Sequence, residues 1–353
     1  MTNGRPTIRD VASASGLSIN TISRVVNGRP NVAPATAKKA MDAITRLGYR
    51  PNLVARSLRL GRDNTLGIAV TSITDPFFAE VVSAIEETAR GHGFSAIISC
   101  TGESDGAEET IVSGLLNRQV AGMIVVPTGA DQSYLARKYA GVPVVCVDRP
   151  PVGIECDTVL VDNEGGAFLG TNWLVLHGHR RIAFVGGPKD KFTIDRRRLG
   201  YSRALREAGI ALDPELLADV AILPAEVSAV IPSLLALSEP ITAIFTSNSK
   251  ASLGAIDALH RLGRTDVAMV GFDDFPTAAS LVPPITVVSQ DPFHIGREAV
   301  ELLLHRIAGE HETPGRMLLP TNLVVRGSGE LRPSQGKARV SQTSTKHKSD
   351  LVV

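Results

Sequence analysis

The sequence predicts two folds in series: an all-α helix-turn-helix domain at the amino end, then an α/β body of two lobes, each built on parallel sheet. Three observations carry this expectation. Two short helical patterns meet at Ser15-Gly16-Leu17, which breaks the apolar periodicity. Charge is unevenly divided over the 353 residues: eleven Lys and Arg stand against two acids up to Arg62, and 26 against 34 beyond it, so a net +1 conceals ends of opposite sign. Short Val- and Ile-rich runs then alternate with amphipathic helical patterns from residue 65 onward. The charge division implies a polyanionic phosphate surface as partner of the first part, and an acidic body that stays clear of it.

Thr7 is placed to cap the first helix, with Asp10 as its capping-box partner, after which Ile8, Val11 and Ala12 share a face. Gly16 supplies the left-handed backbone of a tight inter-helix turn, and the small Ala12 lets two helix backbones approach. Ser18 caps a second helix whose Ile22, Val25 and Val26 form the buried stripe. Ile19, Asn20, Thr21, Ser23 and Arg24 are left outward at its amino-terminal end, the end a recognition helix presents to the major groove. Asn20 suits adenine and Arg24 guanine through paired hydrogen bonds, and Ile19 suits a thymine methyl. Ser18, Thr21, Asn27 and Arg29 suit phosphates, which fix register without specifying sequence. Thr7 completes the candidate DNA contacts of this domain. The same pattern also fits an ordinary helical hairpin with a solvated polar face. A third helix over 34–47, with Ala37, Ala40, Met41, Ile44 and Leu47 on one side and Gly48 at its end, closes a three-helix mini-core. Residues 52–62 are helix-capable but too poor in apolar side chains to fold alone.

Three runs, Thr-Ile-Arg-Asp-Val-Ala at 7–12, Ser-Arg-Val-Val-Asn at 23–27 and Pro-Asn-Leu-Val-Ala-Arg-Ser-Leu at 51–58, closely resemble the lactose-repressor (LacI/GalR) family of bacterial transcription regulators. The resemblance extends to about Leu331. It implies a hinge helix over 52–60 that orders on DNA, with Leu58 wedged into the minor groove at the operator centre and Ala55 and Arg59 also meeting DNA. An apolar wedge from each of two subunits unstacks a base step and bends the duplex, and Arg56, Arg59 and Arg62 flank Leu58 with charge suited to phosphate. Packing of Leu58 in a helix docked on the body is the alternative.

In the body, Val- and Ile-rich runs recur at 65–70, 95–99, 122–126, 142–147, 158–161, 181–185, 241–246 and 267–271, with helical patterns at 78–90, 165–176, 197–208 and 251–262. Strands that are apolar throughout and alternate with helices predict parallel sheets covered on both faces. So many strands exceed one comfortable sheet, which predicts two lobes, broadly like a periplasmic sugar-binding protein. By the family's topology the chain crosses between lobes near Asp162-Asn163, Gln290-Asp291 and Pro320-Thr321. The expected division is 1–50 for DNA binding, 51–62 for the hinge and 63–332 for effector binding and dimerisation. Within the body one lobe takes about 63–161 and 291–320 and the other about 162–290 and 321–332, while 333–353 turns polar and reads as a disordered tail.

Such lobes take ligands at the carboxyl ends of their strands, where several residues match the family's effector contacts. Asp75-Pro76-Phe77-Phe78 follows the first strand, and its aromatic pair can stack on a sugar or base face. Asp148-Arg149 follows the fourth strand, Arg197 opens an Arg-x-x-Gly-Tyr run, Asn248 follows the run at 241–246, Asp273 ends Val-Gly-Phe-Asp, and Gln290 lies at a crossing. An Arg197 fork opposed by the Asp273 carboxylate suits a polyhydroxyl ring, because both make bidentate charge-assisted hydrogen bonds. An ion pair between the two across the cleft is the alternative. Family members often carry Asn-Asp where this chain has Asn248-Ser249.

Other motifs point away from catalysis. Ser247-x-x-Lys250 has the spacing of a penicillin-recognising nucleophile but lacks the Ser-Asp-Asn and Lys-Thr-Gly runs of such sites. Gly186-Gly187-Pro188 is followed by no Gly-Lys-Ser/Thr and reads as a turn. His177-Gly178-His179 has no Cys or carboxylate at ligand spacing and reads as a helix-ending turn, and Trp173 reads as core. Cys100, Cys146 and Cys156, odd in number and without Cys-x-x-Cys spacing, read as reduced cytoplasmic thiols. Neither a signal-peptide pattern nor an apolar run of about twenty residues occurs, which argues against a periplasmic or membrane role. No cofactor, metal or enzymatic activity is expected. The chain reads as a cytoplasmic homodimeric transcription regulator, a repressor by its resemblance. It would hold a pseudo-palindromic double-stranded operator under control of a small-molecule effector, a sugar or sugar derivative, and pair through the helical pattern at 78–90. Control by a protein co-regulator or by a nucleobase or nucleoside is the competing reading.

Overall fold

The computed structural model describes residues 6–26, 32–49, 64–102, 106–129, 131–138, 141–219, 223–310 and 313–333. The chain divides after Asn64 into a helical unit and a larger α/β unit. The helical unit holds α1 (Ile8–Ser15), α2 (Ile19–Val26) and α3 (Pro34–Leu47). Thr7 and Asp10 cap α1 reciprocally: Thr7 Oγ1 accepts the Asp10 amide at 3.4 Å and Asp10 Oδ2 accepts the Thr7 amide at 2.7 Å. Donation from the Thr7 backbone and hydroxyl to the charged form holds the Asp10 carboxyl below its ordinary value. Gly16, at φ 63°, turns its amide back to the Ala12 carbonyl to end α1, and Ser18 Oγ accepts the Thr21 amide at 3.0 Å to start α2. Val11, Ala12, Ile22, Ala40 and Ala43 are buried together. Met41, assigned to this core from sequence, is 50% exposed. The reason is that α1 and α2, eight residues each, cover only the stripe of α3 through Ala40, Ala43, Ile44 and Leu47.

The α/β unit is built on two six-stranded sheets. The first holds β1 (Thr65–Val70), β2 (Ser95–Cys100), β3 (Gly122–Val125), β4 (Val144–Val147), β5 (Asp157–Val161) and β11 (Arg316–Leu319), in the order β11-β5-β4-β3-β1-β2 and parallel throughout. The second holds β6 (Ile182–Gly186), β7 (Leu217–Asp219), β8 (Ala243–Thr246), β9 (Ala268–Phe272), β10 (Thr286–Ser289) and β12 (Asn322–Val324), in the order β12-β10-β9-β8-β6-β7. There the β10 to β12 pairing is antiparallel and the others parallel. The chain leaves the first sheet after β5, returns after β10, and leaves again between β11 and β12. The central strands β3, β6, β8 and β9 are buried along their length, which is why they read as near-continuous apolar runs.

Helices cover both sheets. Those of the first are α4 (Pro76–Gly91), α5 (Ala107–Leu116), α6 (Ser133–Lys138) and the late α11 (Pro292–Ala308); those of the second are α7 (Asn163–Leu176), α8 (Phe192–Glu207), α9 (Pro224–Leu235) and α10 (Ser249–Arg261). Two glycines set how closely these helices meet. A Cβ at Gly296 would stand 2.7 Å from Ala84 Cβ, where α11 lies on α4, and one at Gly200 would stand 2.1 Å from the Glu164 carbonyl, where α8 lies on α7. A buried carboxylate ties α5 to the loop after β3. Glu108, 2% exposed, accepts the Thr128 and Gly129 amides at 2.6 and 2.7 Å and the Tyr134 hydroxyl at 2.9 Å. Burial, reinforced by the Glu108 charge, pushes the Tyr134 phenol far above its ordinary value. Among the described residues no helix is long and apolar enough to cross a membrane.

Candidate nucleic-acid interface and ligand cavity

Helix α2 is anchored by Ile22, with Val25 and Val26 partly buried beside it against the same core. Ile22 is fully buried, and this orients the rest: Ile19 is 43% exposed, Asn20 and Arg24 are exposed, and Thr21 and Ser23 are partly exposed. Asn20 and Arg24 have no hydrogen bond or ion pair among the described residues, so their paired donors and acceptors are directed at solvent. Thr7 and Ser18 are exposed too, but each hydroxyl already serves a helix start, and Ser18 Oγ also lies 2.8 Å from Thr21 Oγ1. Asn27, Arg29, Ala55, Leu58, Arg59 and the hinge at 51–62 lie outside the described residues.

In the α/β unit, the carboxyl ends of strands from both sheets enclose one cavity. Of the nine positions named from sequence, Asp75, Phe77, Phe78, Asp148, Arg149, Arg197, Asn248 and Asp273 line it. Gln290 stands behind this wall and donates through Nε2 to Asp273 Oδ1, while its Oε1 is buried without a partner among the described residues. The two sheets contribute equivalently. β4 and β9 each hold third place in the six-strand order of their sheet, and each is followed by an aspartate, Asp148 and Asp273, at φ 68°. Aspartate is among the few side chains that tolerate this left-handed backbone.

Arg197 is the most constrained side chain of the site. It is 3% exposed; Nε donates to Asn163 Oδ1 at 2.8 Å, Nη1 donates to the Ser247 carbonyl at 2.6 Å and lies 3.3 Å from Asp273 Oδ2, and the guanidinium stacks 3.7 Å over the Phe272 ring. Its Nη2 makes no hydrogen bond among the described residues. The pair with Asp273 does form, but within the second lobe, because α8 and β9 both belong there. The sequence reading of a pair reaching across the cleft is corrected accordingly. Burial pushes the Asp273 carboxyl up to about 6, against the opposing pull of Arg197 and Gln290. Arg149 in turn pairs with Asp148 at 3.2 Å in the first lobe.

A contact across the cleft is made by a different residue. Asp75, whose Oδ1 caps α4 by accepting the Phe77 amide at 3.2 Å, also accepts Ser249 Oγ at 3.3 Å and lies 3.6 Å from Lys250 Nζ. The Ser249 departure thus has a physical setting, since an aspartate there would confront Asp75 with a like charge. With this contact made, the cavity is about 70 Å³. Sequence reasoning missed Lys250, Thr71 and Gly187, which follow strands or open a helix in the manner of the residues it did name. It also missed Lys191, Thr193 and Ile194. Those lie at the start of α8, which the sequence pattern began only at Arg197 because Lys191 gives no capping signal and the charged run 195–198 obscures the apolar face.

The motifs set aside have structural roles. His179 is buried, with Nδ1 2.9 Å from Thr242 Oγ1 and Nε2 2.7 Å from the Leu331 carbonyl, and burial holds its pKa below the ordinary value. His177 Nδ1 lies 2.8 Å from the Trp173 carbonyl, and Trp173 Nε1 donates to Glu330. Ser247 is buried and Lys250 faces Asp75, so no nucleophile and base converge there.

Known proteins share both parts of the chain. A model of the bacterial regulatory proteins of the lacI family matches residues 7–52, and one of a periplasmic binding protein-like domain matches 171–329. The HTH-type transcriptional repressor CytR of Escherichia coli (strain K12) is 31% identical over 331 residues, covering 93% of this chain and 97% of CytR. Among solved structures, the lac repressor dimer bound to operator and the anti-inducer ONPF aligns with a TM-score of 0.82 at 28% identity, over 92% of this chain and 99% of that one. A transcriptional regulator CelR-cellobiose complex aligns with a TM-score of 0.68 at 33% identity, over 92% and 100%.

Proposed function

The chain belongs to the lacI family of bacterial regulatory proteins, and from that premise we propose that it is a cytoplasmic homodimeric repressor whose hold on a pseudo-palindromic operator is set by a sugar or sugar derivative bound between its lobes. The observation that carries the DNA reading is α2, where Ile22 sealed in the core directs Ile19, Asn20 and Arg24 outward at the helix's amino-terminal end. In this reading Asn20 and Arg24 contact base edges and Ile19 a thymine methyl, Ser18, Thr21, Asn27 and Arg29 contact phosphates and position the domain, and Thr7 and Ser23 complete the DNA contacts. The hinge segment adds Ala55, Arg59 and the wedge Leu58. The operator-bound lac repressor dimer supports pairing on DNA as the working state.

For the effector, the supporting chemistry is a cavity in which Arg197 Nη2, the amide of Asn248 and the Asp273 carboxylate, held from behind by Gln290, offer donors and acceptors beside the Phe77 and Phe78 rings. Alternating donors and acceptors next to an aromatic face suit a polyhydroxyl ring. The similarity to a regulator solved with cellobiose supports the same class. Closing of the lobes on such a ligand would shift the spacing of the paired hinges and so the affinity for DNA.

Two measurements test this. Asn20→Ala and Arg24→Ala should each relax sequence preference, losing about 1–3 kcal/mol on the preferred genomic fragment and little on others; equal loss on all fragments would reassign them to phosphates. A thermal-shift screen of the full chain against mono- and disaccharides should find a stabilising sugar that Arg197→Ala no longer answers to. Stabilisation by nucleosides and by no sugar would replace the effector class.

A further inference from the structure

We propose that Cys146 and Cys156 form a dithiol that a hydroperoxide converts reversibly to a disulfide, clamping the loop that carries Asp148 and Arg149 into the cavity wall. The two sulfurs lie 3.3 Å apart, within about 1.3 Å of a bonded S–S separation. Cys146 lies inside β4 and Cys156 immediately before β5, so the two strands bring together cysteines that ten positions separate in the chain. Their environments divide the labour. Cys146 is fully buried, whereas Cys156 is half-buried and within reach of a small oxidant. Hydrogen bonding with the Cys146 side chain and backbone holds the Cys156 thiol below its ordinary value, while that same side-chain hydrogen bond, then burial, pushes Cys146 up. Cys156 is therefore the attacking sulfur and Cys146 the resolving one.

The steps balance without a bound cofactor. The Cys156 thiolate attacks one oxygen of the hydroperoxide; an S–O bond forms, the O–O bond breaks, and the leaving oxygen takes up a proton as water or alcohol. Cys146 sulfur then attacks Cys156 Sγ; the S–S bond forms, the S–O bond breaks, and hydroxide departs as water with the Cys146 proton. Two thiols have then supplied the two electrons that reduced one peroxide, and an external thiol restores them. Cytosolic disulfides of this kind are transient and redox-sensing.

The new bond would close a short ring over 146–156. Asp148 and Arg149 lie inside that ring, as does Val152, whose amide donates to Gln132 Oε1 at 2.8 Å. Coupling of this clamp to the effector rests on the reading of the cavity given above, but formation of the bond does not.

The test uses the full chain carrying Cys100→Ser, which removes the exposed third thiol. After a pulse of hydrogen peroxide and quenching with N-ethylmaleimide, the peptide spanning 146–156 should lack two hydrogens and carry no alkyl group in most molecules, and dithiothreitol should restore both thiols. Cys156→Ser in the same background should show no such loss. Hydrogen exchange over 148–155 should slow several-fold in the oxidised protein. Full alkylation of both cysteines after peroxide, or oxidation of Cys156 to the sulfinic acid without pairing, would overturn the dithiol. Unchanged exchange in the disulfide form would overturn the clamp.

Discussion

Asp273 shows how much of the site a single residue decides. Its carboxyl sits at about 6 rather than the ordinary 3.8, with burial as the main cause. Folding therefore takes up a proton between those values, and the sign follows. The contribution is fully present below about pH 4 and is lost as pH rises through about 6, on the order of 3 kcal/mol in total. Asp273→Asn has no proton to take up, so the wild type should lose stability relative to this variant as pH is raised from 4 to 7. Urea unfolding followed by the single tryptophan, Trp173, measures it, and parallel profiles would show that Asp273 titrates normally. At this scale the sequence told which side chains reach the cavity better than what holds them. Arg197 and Asp273 are readable from their runs, but the Asn163, Ser247 and Phe272 groups that fix Arg197 come from three different elements, and only the tertiary fold brings them together.

Elements were legible wherever periodicity was strong. The helices around Gly16, the third helix ending at Gly48 and the buried central strands follow from apolar spacing and capping residues, because each buries a face large enough to leave a pattern. Strands β7 and β12 have three residues each, β11 is an edge strand with Leu318 at 64% exposure, and β10 brings only Val287 and Val288 behind two prolines; none carries enough apolar repeat to be read alone. The role of Glu108 was equally hidden, since a carboxylate in the first turn of a helix ordinarily reads as solvated. The structure predicts otherwise. Glu108→Ala should strand the Thr128 and Gly129 amides and the Tyr134 hydroxyl, costing about 3 kcal/mol or more, and Glu108→Gln should recover part of that through its remaining carbonyl. Denaturant midpoints by circular dichroism separate the three proteins. A Glu108→Ala midpoint equal to wild type would mean the loop after β3 satisfies itself without the carboxylate.

At the scale of the whole α/β unit, the question is what keeps the two lobes together over a cavity of about 70 Å³, when pockets that enclose a sugar-sized ligand run to roughly 300 Å³ or more. A ligand of that size can enter only if the lobes part, and one contact that must then break is Asp75 with Ser249 and Lys250. Ser249→Asp should favour the parted state. It replaces a donor 3.3 Å from Asp75 with a second carboxylate, and two such charges about 4 Å apart repel by up to roughly 4 kcal/mol near a protein surface, before the neighbouring Lys250 offsets part of it. A net shift of about 1.4 kcal/mol already changes the ratio of closed to open molecules tenfold. Small-angle scattering of the full chain should therefore show a larger radius of gyration for Ser249→Asp than for wild type, with Ser249→Ala, which loses one hydrogen bond and adds no charge, lying between them. Superimposable scattering from all three would mean that closure rests on other contacts or on the chain crossings, with Asp75 contributing nothing to it.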